Sequence, residues 1–203
     1  RVAKDKVETL SRVQPVLEAI SRPAERVRTW EEYRTALLTE RRVSEGVEFW
    51  KKYRNTLKRA EKKYGVAPEY VVAIIGVETF YGRHTGNWRV LDALTTLAFD
   101  YPPRAGFFRN ELEQYLLFAR GAGVDVFSVK GSYAGAIGLP QFMPSSTRAY
   151  AVDFDGNGRI DLQKGRVDSI GSVANFHKVH SWQRDADVLL EARVAGESWR
   201  AFA

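Results

Sequence analysis

The run Val71-Val72-Ala73-Ile74-Ile75-Gly76-Val77 leads into a lone carboxylate, Glu78, and then into Thr79-Phe80-Tyr81-Gly82. Gly65 behind a lysine pair is a good helix stop, and Pro68 suits the first turn of the next helix. The spacing predicts a helix from Tyr70 to Tyr81, ending at Gly82, whose apolar stripe must face a core. Glu78 lies four residues after Ile74 and three after Ile75, so its carboxylate is expected to project from that stripe.

Helical spacing recurs elsewhere. Val7, Leu10, Val13, Val16 and Leu17 form one stripe and Trp30, Tyr33, Leu37 and Leu38 another, with a break at Ser21-Arg22-Pro23. A third helix is predicted from Val47 to about Tyr64, a further one across 107–121 after Pro102-Pro103, and another over 169–180. The expected fold is mainly α, with an N-terminal helical lobe (1–64) and a core (65–203). With 203 residues the chain can hold one generous domain or a core with a smaller lobe.

Cysteine is absent, which excludes disulfides, thiolate metal sites and cysteine nucleophiles together. The net charge of +6 is N-terminal in origin: residues 1–63 carry 17 Lys/Arg against 10 Asp/Glu, and residues 64–203 carry 14 against 15. Such a surface favours an anionic polymer or is simply a solvated basic face. The chain opens Arg1-Val2-Ala3-Lys4, without an initiator Met or apolar signal region. Its numbering is therefore expected to start inside a longer product, with any signal or lipid anchor already absent.

Three segments carry chemistry. Desolvation at Glu78 would raise its pKa and let it hold a proton near neutral pH, as a general acid must. Pattern alone leaves open a glutamate paired with a buried arginine or one looking into solvent at the helix end. In the second segment, 130–146, closely spaced glycines and alanines allow backbone to approach a ligand, and Ser132 and Gln141 offer neutral hydrogen bonds of the kind sugars accept. A tightly packed loop and helix start fits the same composition.

The third segment is Asp153-Phe154-Asp155-Gly156-Asn157-Gly158-Arg159-Ile160-Asp161. Oxygen side chains at positions 1, 3 and 5, Gly at 6, the Arg159 carbonyl at 7 and an apolar residue at 8 match the start of an EF-hand loop. Position 12 is Lys164, so the last carboxylate is expected from Asp168 in a lengthened loop spanning about 153–168. A structural calcium ion is the preferred reading, against a turn in which Asp and Asn merely cap the backbone. His84, His177 and His180 form no zinc pattern.

The Glu78 helix, Arg89-Val90-Leu91-Asp92-Ala93-Leu94, Tyr101-Pro102, Gly131–Ser146 with its Gln-Phe-Met-Pro-Ser-Ser, and Gly171-Ser172-Val173-Ala174-Asn175-Phe176 occur in an order that resembles the membrane-bound lytic transglycosylase B family. The resemblance is strong over roughly 66–182. It implies a lysozyme-like core in which Glu78 protonates the bond between N-acetylmuramic acid and N-acetylglucosamine. Glu78 then serves as base while the muramyl C6 hydroxyl closes a 1,6-anhydro ring. Ser132 and Gln141 match groove-lining positions, and Tyr133, Phe142, Met143 and Asn175 match the cleft. The EF-hand-like site is also a family feature, and no catalytic cofactor is implied. Phe176 stands where many relatives have Tyr, and relatives continue past the point corresponding to Ala203, so the cleft is expected to be short at its C-terminal side.

Residues 70–91 hold no second Asp or Glu. Asp92 reads as a helix N-cap, and Asp100, Glu111 and Glu113 as solvent-facing. That favours a transglycosylase over a hydrolytic muramidase, and Glu78 itself speaks against a non-catalytic peptidoglycan-binding module, which would not need an acid there. The expected partners are peptidoglycan strands and cell-wall synthesis or division proteins, with no nucleic acid and with membrane contact only through an anchor absent from the chain. The expected location is the periplasm, as an outer-membrane lipoprotein or free.

Overall fold

In the computed structural model, which describes residues 12–22 and 28–189, the helices are α1 (Gln14–Ser21), α2 (Trp30–Leu37), α3 (Glu40–Tyr64), α4 (Pro68–Thr79), α5 (Val90–Asp100), α6 (Ala105–Ala122), α7 (Pro144–Tyr150) and α8 (Arg166–Val179). Strands β1 (Trp88–Arg89) and β2 (Lys130–Gly131) pair antiparallel, Trp88 opposite Gly131 and Arg89 opposite Lys130. The fold is mainly α, as expected.

Local chemistry explains where the helices begin and end. α3 starts at Glu40, earlier than the apolar pattern from Val47 indicates, because the Thr39 hydroxyl accepts the Arg42 N–H and caps it. It bends at Tyr53, whose backbone leaves helical values, and stops at Gly65 in the left-handed conformation (φ 77°). Pro68 opens α4 at a position whose N–H would be unsatisfied in any case. α4 stops at Thr79, two residues short of the expected end, because Phe80 and Tyr81 both take positive φ (51° and 60°). α8 starts at Arg166 and ends at Val179 where 169–180 was expected, and α6 extends past 107–121 at both ends.

The stripe at Trp30, Tyr33, Leu37 and Leu38 does form a helix, but α2 buries none of its residues, and Trp30 is 72% exposed. A capping box, with Thr29 and Glu32 each satisfying the other's backbone N–H, supports it instead. Of the first stripe, Val7 and Leu10 lie outside the described residues. Val16 is fully buried against α5, and the Val13 N–H donates to Thr96 Oγ1 at 3.1 Å.

Two apolar clusters form the interior. One joins Phe49, Leu57 and Tyr64 of α3 with Val71, Val72 and Ile75 of α4, Leu139, Phe154, and Ile170 and Val173 of α8, so residues on both sides of position 64 share it. The other joins Val16, Leu91, Leu94 and Leu97 with Phe108, Tyr115, Val129 and Ile137. Leu139 belongs to the first and Ile137 to the second, and the segment carrying both therefore sits where the clusters meet. No helix among the described residues is long and apolar enough to cross a membrane.

Candidate active site and cation loop

Glu78 occupies the penultimate position of α4, whose buried residues are Val71, Val72, Ile75, Gly76 and Thr79. At about 100° per residue, Glu78 falls only about 20° beyond Val71, at the rim of the buried arc and not within it. The helix ends one residue later, so no following turn covers it. The side chain is consequently exposed, which corrects the expectation that it projects from the core-facing stripe. Enough protein still surrounds the carboxyl that desolvation raises its pKa above the ordinary value of 4.5. Water thus reaches the carboxyl but only from part of its surroundings. The carbonyl end of the α4 dipole acts in the same direction on a negative charge there. Among the described residues Glu78 has neither a hydrogen bond nor an ion pair, which removes the paired-arginine alternative.

The 130–146 segment meets the end of α4 through several backbone contacts. Thr79 Oγ1 donates to the Leu139 carbonyl at 2.9 Å, and Gln141 Nε2 donates to the carbonyls of Thr85 (3.2 Å) and Gly138 (2.8 Å). Gly86 lies so close to Gly131 that a Cβ would sit 2.0 Å from the Gly131 carbonyl oxygen. Gln141 itself is held at positive φ (49°), and with Phe80 and Tyr81 it concentrates non-glycine left-handed backbone around this junction. Antiparallel bridges of Ile137 with Gly131 and with Phe142 fold the segment on itself.

The other expected groove residues follow from that fold. Ser132 Oγ accepts the N–H groups of Ala134 (3.2 Å) and Ala136 (3.1 Å), which uses both lone pairs and leaves only its O–H for a ligand. Tyr133 and Met143 are half-buried against the second cluster, and Met143 is also the residue before α7. Phe142 is buried, its ring 5.4 Å from that of Phe176. Asn175 spends its amide nitrogen on the Tyr150 carbonyl at 2.9 Å, and Phe176 stacks on His180 at 4.0 Å. His177 and His180 turn their Nδ1 atoms to the carbonyls of Val173 and Phe176.

Of the remaining carboxylates, Asp92 and Glu111 differ from expectation, while Asp100 and Glu113 face solvent as expected. Asp92 is not a cap: Arg89 precedes α5, and Asp92, a turn in, holds the Arg89 guanidinium with two bonds of 2.6 and 2.9 Å. Glu111 is not solvent-facing but 2% exposed, accepting the Ser145 hydroxyl at 2.6 Å and the Ser145 N–H at 2.9 Å, and so fastens the start of α7 to α6. A glutamate on the apolar side of α6 was the available sequence signal for that clamp. Asp100 is exposed beside Arg12 at 3.9 Å, and Glu113 is exposed.

In the third segment, Asp153, Asp155 and Asp168 each present a carboxylate oxygen, all within 4.8 Å of one another. Oxygens held 2.3–2.6 Å from one calcium ion lie no more than about 5 Å apart, so the trio fits that ion. Asp153 accepts N–H groups from Gly156, Asn157 and Gly158, which hold its carboxyl below the usual range, the Gly158 bond foremost. Asp168, 1% exposed, accepts from Phe154 (2.8 Å), Asp155 (3.3 Å) and Asp161 (2.9 Å). Asn157 Oδ1 takes the Arg159 N–H at 2.9 Å, which bends the loop at the residue expected to offer a carbonyl. The loop's exit is tied to the groove segment: Leu139 N–H donates to the Leu162 carbonyl at 2.8 Å, and Gln163 Nε2 to the Lys130 carbonyl at 2.8 Å.

Comparison with known proteins agrees with this arrangement. Residues 2–202 match the transglycosylase SLT domain. The chain is 48% identical over 163 residues to the membrane-bound lytic murein transglycosylase B of Escherichia coli (strain K12), covering 80% of this chain and 45% of that one. The soluble lytic transglycosylase SltB1 of Pseudomonas aeruginosa superposes with a TM-score of 0.86 at 58% identity, over 91% of this chain and 62% of that one. The Escherichia coli lytic transglycosylase Slt35 in complex with calcium gives 0.83 at 46%, over 91% and 58%. The chain thus spans about half of the curated relative and under two thirds of these solved chains.

Proposed function

Because the chain belongs to the transglycosylase SLT domain family, we propose that it carries the lytic transglycosylase site, cleaving the β-1,4 bond from N-acetylmuramic acid to N-acetylglucosamine in peptidoglycan. The observation that carries this reading is an unpartnered carboxyl with a raised pKa, one residue from the Thr79 hydroxyl that bonds to the Leu139 carbonyl of a neutral hydrogen-bonding segment. Glu78 donates its proton to the leaving glycosidic oxygen. As a carboxylate it then takes the proton of the muramyl C6 hydroxyl as that oxygen attacks C1, and the anhydro product leaves without water entering.

Two features favour this over a muramidase. A retaining hydrolase needs a second carboxylate about 5 Å from the first, and an inverting one about 6.5–9.5 Å away. Asp92 is held by Arg89 and Glu111 by Ser145, which commits both of these carboxylates to structure. The Escherichia coli relative bears the name of a murein transglycosylase. Mass spectrometry of products from purified peptidoglycan should find 1,6-anhydromuramyl ends, and reducing muramic ends as the main product would replace the reading with a hydrolase.

In this reading Ser132, Tyr133, Gln141, Phe142, Met143 and Asn175 line the glycan groove. With both lone pairs of Ser132 occupied, its hydroxyl serves as donor to a sugar oxygen such as an N-acetyl carbonyl. Ser132→Ala should raise KM about 5-fold with kcat little changed, the loss of one neutral hydrogen bond of about 1 kcal/mol. A kcat loss larger than the KM change would assign Ser132 to the transition state instead.

Asp153, Asp155, Asp168, Asn157 and the Arg159 carbonyl would hold calcium, whose charge would bind the loop's carboxylates together and take no part in the reaction. A solved relative in complex with calcium supports that assignment. Peptidoglycan is the proposed partner, in keeping with relatives solved in complex with N-acetylglucosamine–muramyl pentapeptides. The periplasm is the proposed location.

A further inference from the structure

Glu78 has no side-chain partner among the described residues, so its carboxyl takes its position from its backbone. That backbone is the last turn of α4, where a helix ordinarily frays. The turn is pinned from one side by its neighbour. Thr79 is 1% exposed, and its hydroxyl meets the carbonyl of Leu139, a residue of the first apolar cluster. A helical threonine usually returns its hydroxyl to the carbonyl four residues back. In Thr79 that contact, to Ile75, is the long one at 3.3 Å, and the short one of 2.9 Å goes across to the Leu139 carbonyl. The same oxygen accepts the Gly82 N–H at 3.1 Å, and the Thr79 carbonyl accepts the His84 N–H at 2.9 Å. Those two bonds fix the turn in which Phe80 and Tyr81 hold positive φ.

Leu139 is itself rigidly held. Its N–H is bonded to the Leu162 carbonyl, and Gly138 beside it has a φ of 71°, with room for no Cβ because the Leu162 oxygen would lie 2.2 Å away. Gln141, two residues on, is fixed by Thr85 and Gly138. The acid and the groove therefore belong to separate segments, and the hydrogen bond between them nearest to Glu78 in sequence is that of the Thr79 hydroxyl.

We propose that Thr79 is a positioning residue of the reaction: its hydrogen bond to the Leu139 carbonyl holds the Glu78 carboxyl in register with the 138–141 segment. The proposal rests on Glu78 being the acid and base. Valine in place of threonine keeps the β-branched shape and removes the donor, whereas serine keeps the donor and loses a methyl group.

The test measures kcat, KM and the pH profile of kcat/KM on purified peptidoglycan for T79V and T79S, with E78Q alongside. A small misplacement of a reacting group can cost up to about 100-fold, so T79V should lose about 10- to 100-fold in kcat with KM within about 3-fold. T79S should recover to within about 3-fold of the parent. The alkaline limb of the T79V profile should move to lower pH, because a loosened helix end admits water to the carboxyl. If T79V does not fold, T79C replaces it, since its weak S–H donor makes the same contrast with serine. Equal losses in T79V and T79S with an unmoved limb would reduce Thr79 to a packing residue, and full activity in T79V would overturn the proposal. An active E78Q would instead overturn the assignment of Glu78, whatever Thr79 does.

Discussion

Glu78→Gln should lose at least about 1000-fold in kcat on peptidoglycan, while glycan binding stays within a few-fold. General acid–base catalysis by one positioned group supplies roughly 100- to 10,000-fold, and here one group serves in both steps. The amide keeps the volume of the side chain but can neither give a proton to the leaving oxygen nor accept one from the C6 hydroxyl. The raised pKa gives two further signs. Donation needs the protonated form, so kcat/KM should be full where Glu78 holds its proton and should fall as pH rises through its elevated value. In the stability balance, the native state retains this proton at pH values where the unfolded chain has released it. Between the ordinary carboxylate range and the elevated value, stability from this group therefore declines as pH rises. Glu78→Gln, neutral throughout, should melt no lower than the parent above that window. Thermal melts at several pH values check this, and a variant that is active, or that melts lower only at alkaline pH, would contradict the assignment.

The sequence made α4 legible because its apolar run is bounded by Gly65, Pro68 and Gly82, each acting through backbone geometry that needs no tertiary partner. It placed the end of that helix two residues late, since nothing local announces that Phe80 and Tyr81 take left-handed backbone; the Tyr81 hydroxyl bonded to the Arg42 carbonyl and the ring seated on Gly46 and Gly76 are tertiary causes. Glu78 was identifiable as the unusual carboxylate, but helical periodicity could not say whether it faced the core or its rim, a difference of about 20° in azimuth. The meeting of Asp153, Asp155 and Asp168 was legible because their spacing follows that of a known loop. Glu111 and Asp92 were misread for the opposite reason: their partners, Ser145 and Arg89, are set by how α6 meets α7 and how α5 begins. The exposure of Trp30 and Leu38 was equally invisible, because an apolar stripe does not state whether anything packs on it.

Removing the Asp168 carboxylate should cost more stability than removing the cation it would bind. Its two oxygens accept three backbone N–H groups, from Phe154, Asp155 and Asp161, and the residue is 1% exposed. The Phe154 N–H is buried and, left without a partner, costs about 1–3 kcal/mol, while the part-buried N–H groups of Asp155 and Asp161 lose about 0.5–1.5 kcal/mol each, so Asp168→Ala should lose roughly 2–6 kcal/mol, a large part of the 5–15 kcal/mol that holds a typical domain together. The ion's own contribution is smaller: at a hundred times its dissociation constant it adds about 2.7 kcal/mol, or roughly 5–11 °C in Tm for a chain of this size. Asp155→Asn separates the two. Asp155 is exposed and accepts one N–H, from Asn157, which an amide oxygen can still accept. In chelator, Asp155→Asn should therefore melt with the parent while Asp168→Ala melts far below it. In millimolar calcium the parent alone should rise by the full shift. Because Phe154 carries one of the orphaned N–H groups and packs between α3 and α8, against Tyr64 and over Gly171, the damage from Asp168→Ala should spread into the first cluster. Hydrogen exchange would register it as lost protection in α8. A parent melt unmoved between chelator and calcium would remove the cation from the account, and an Asp168→Ala variant as stable as Asp155→Asn would show that the three backbone bonds contribute little.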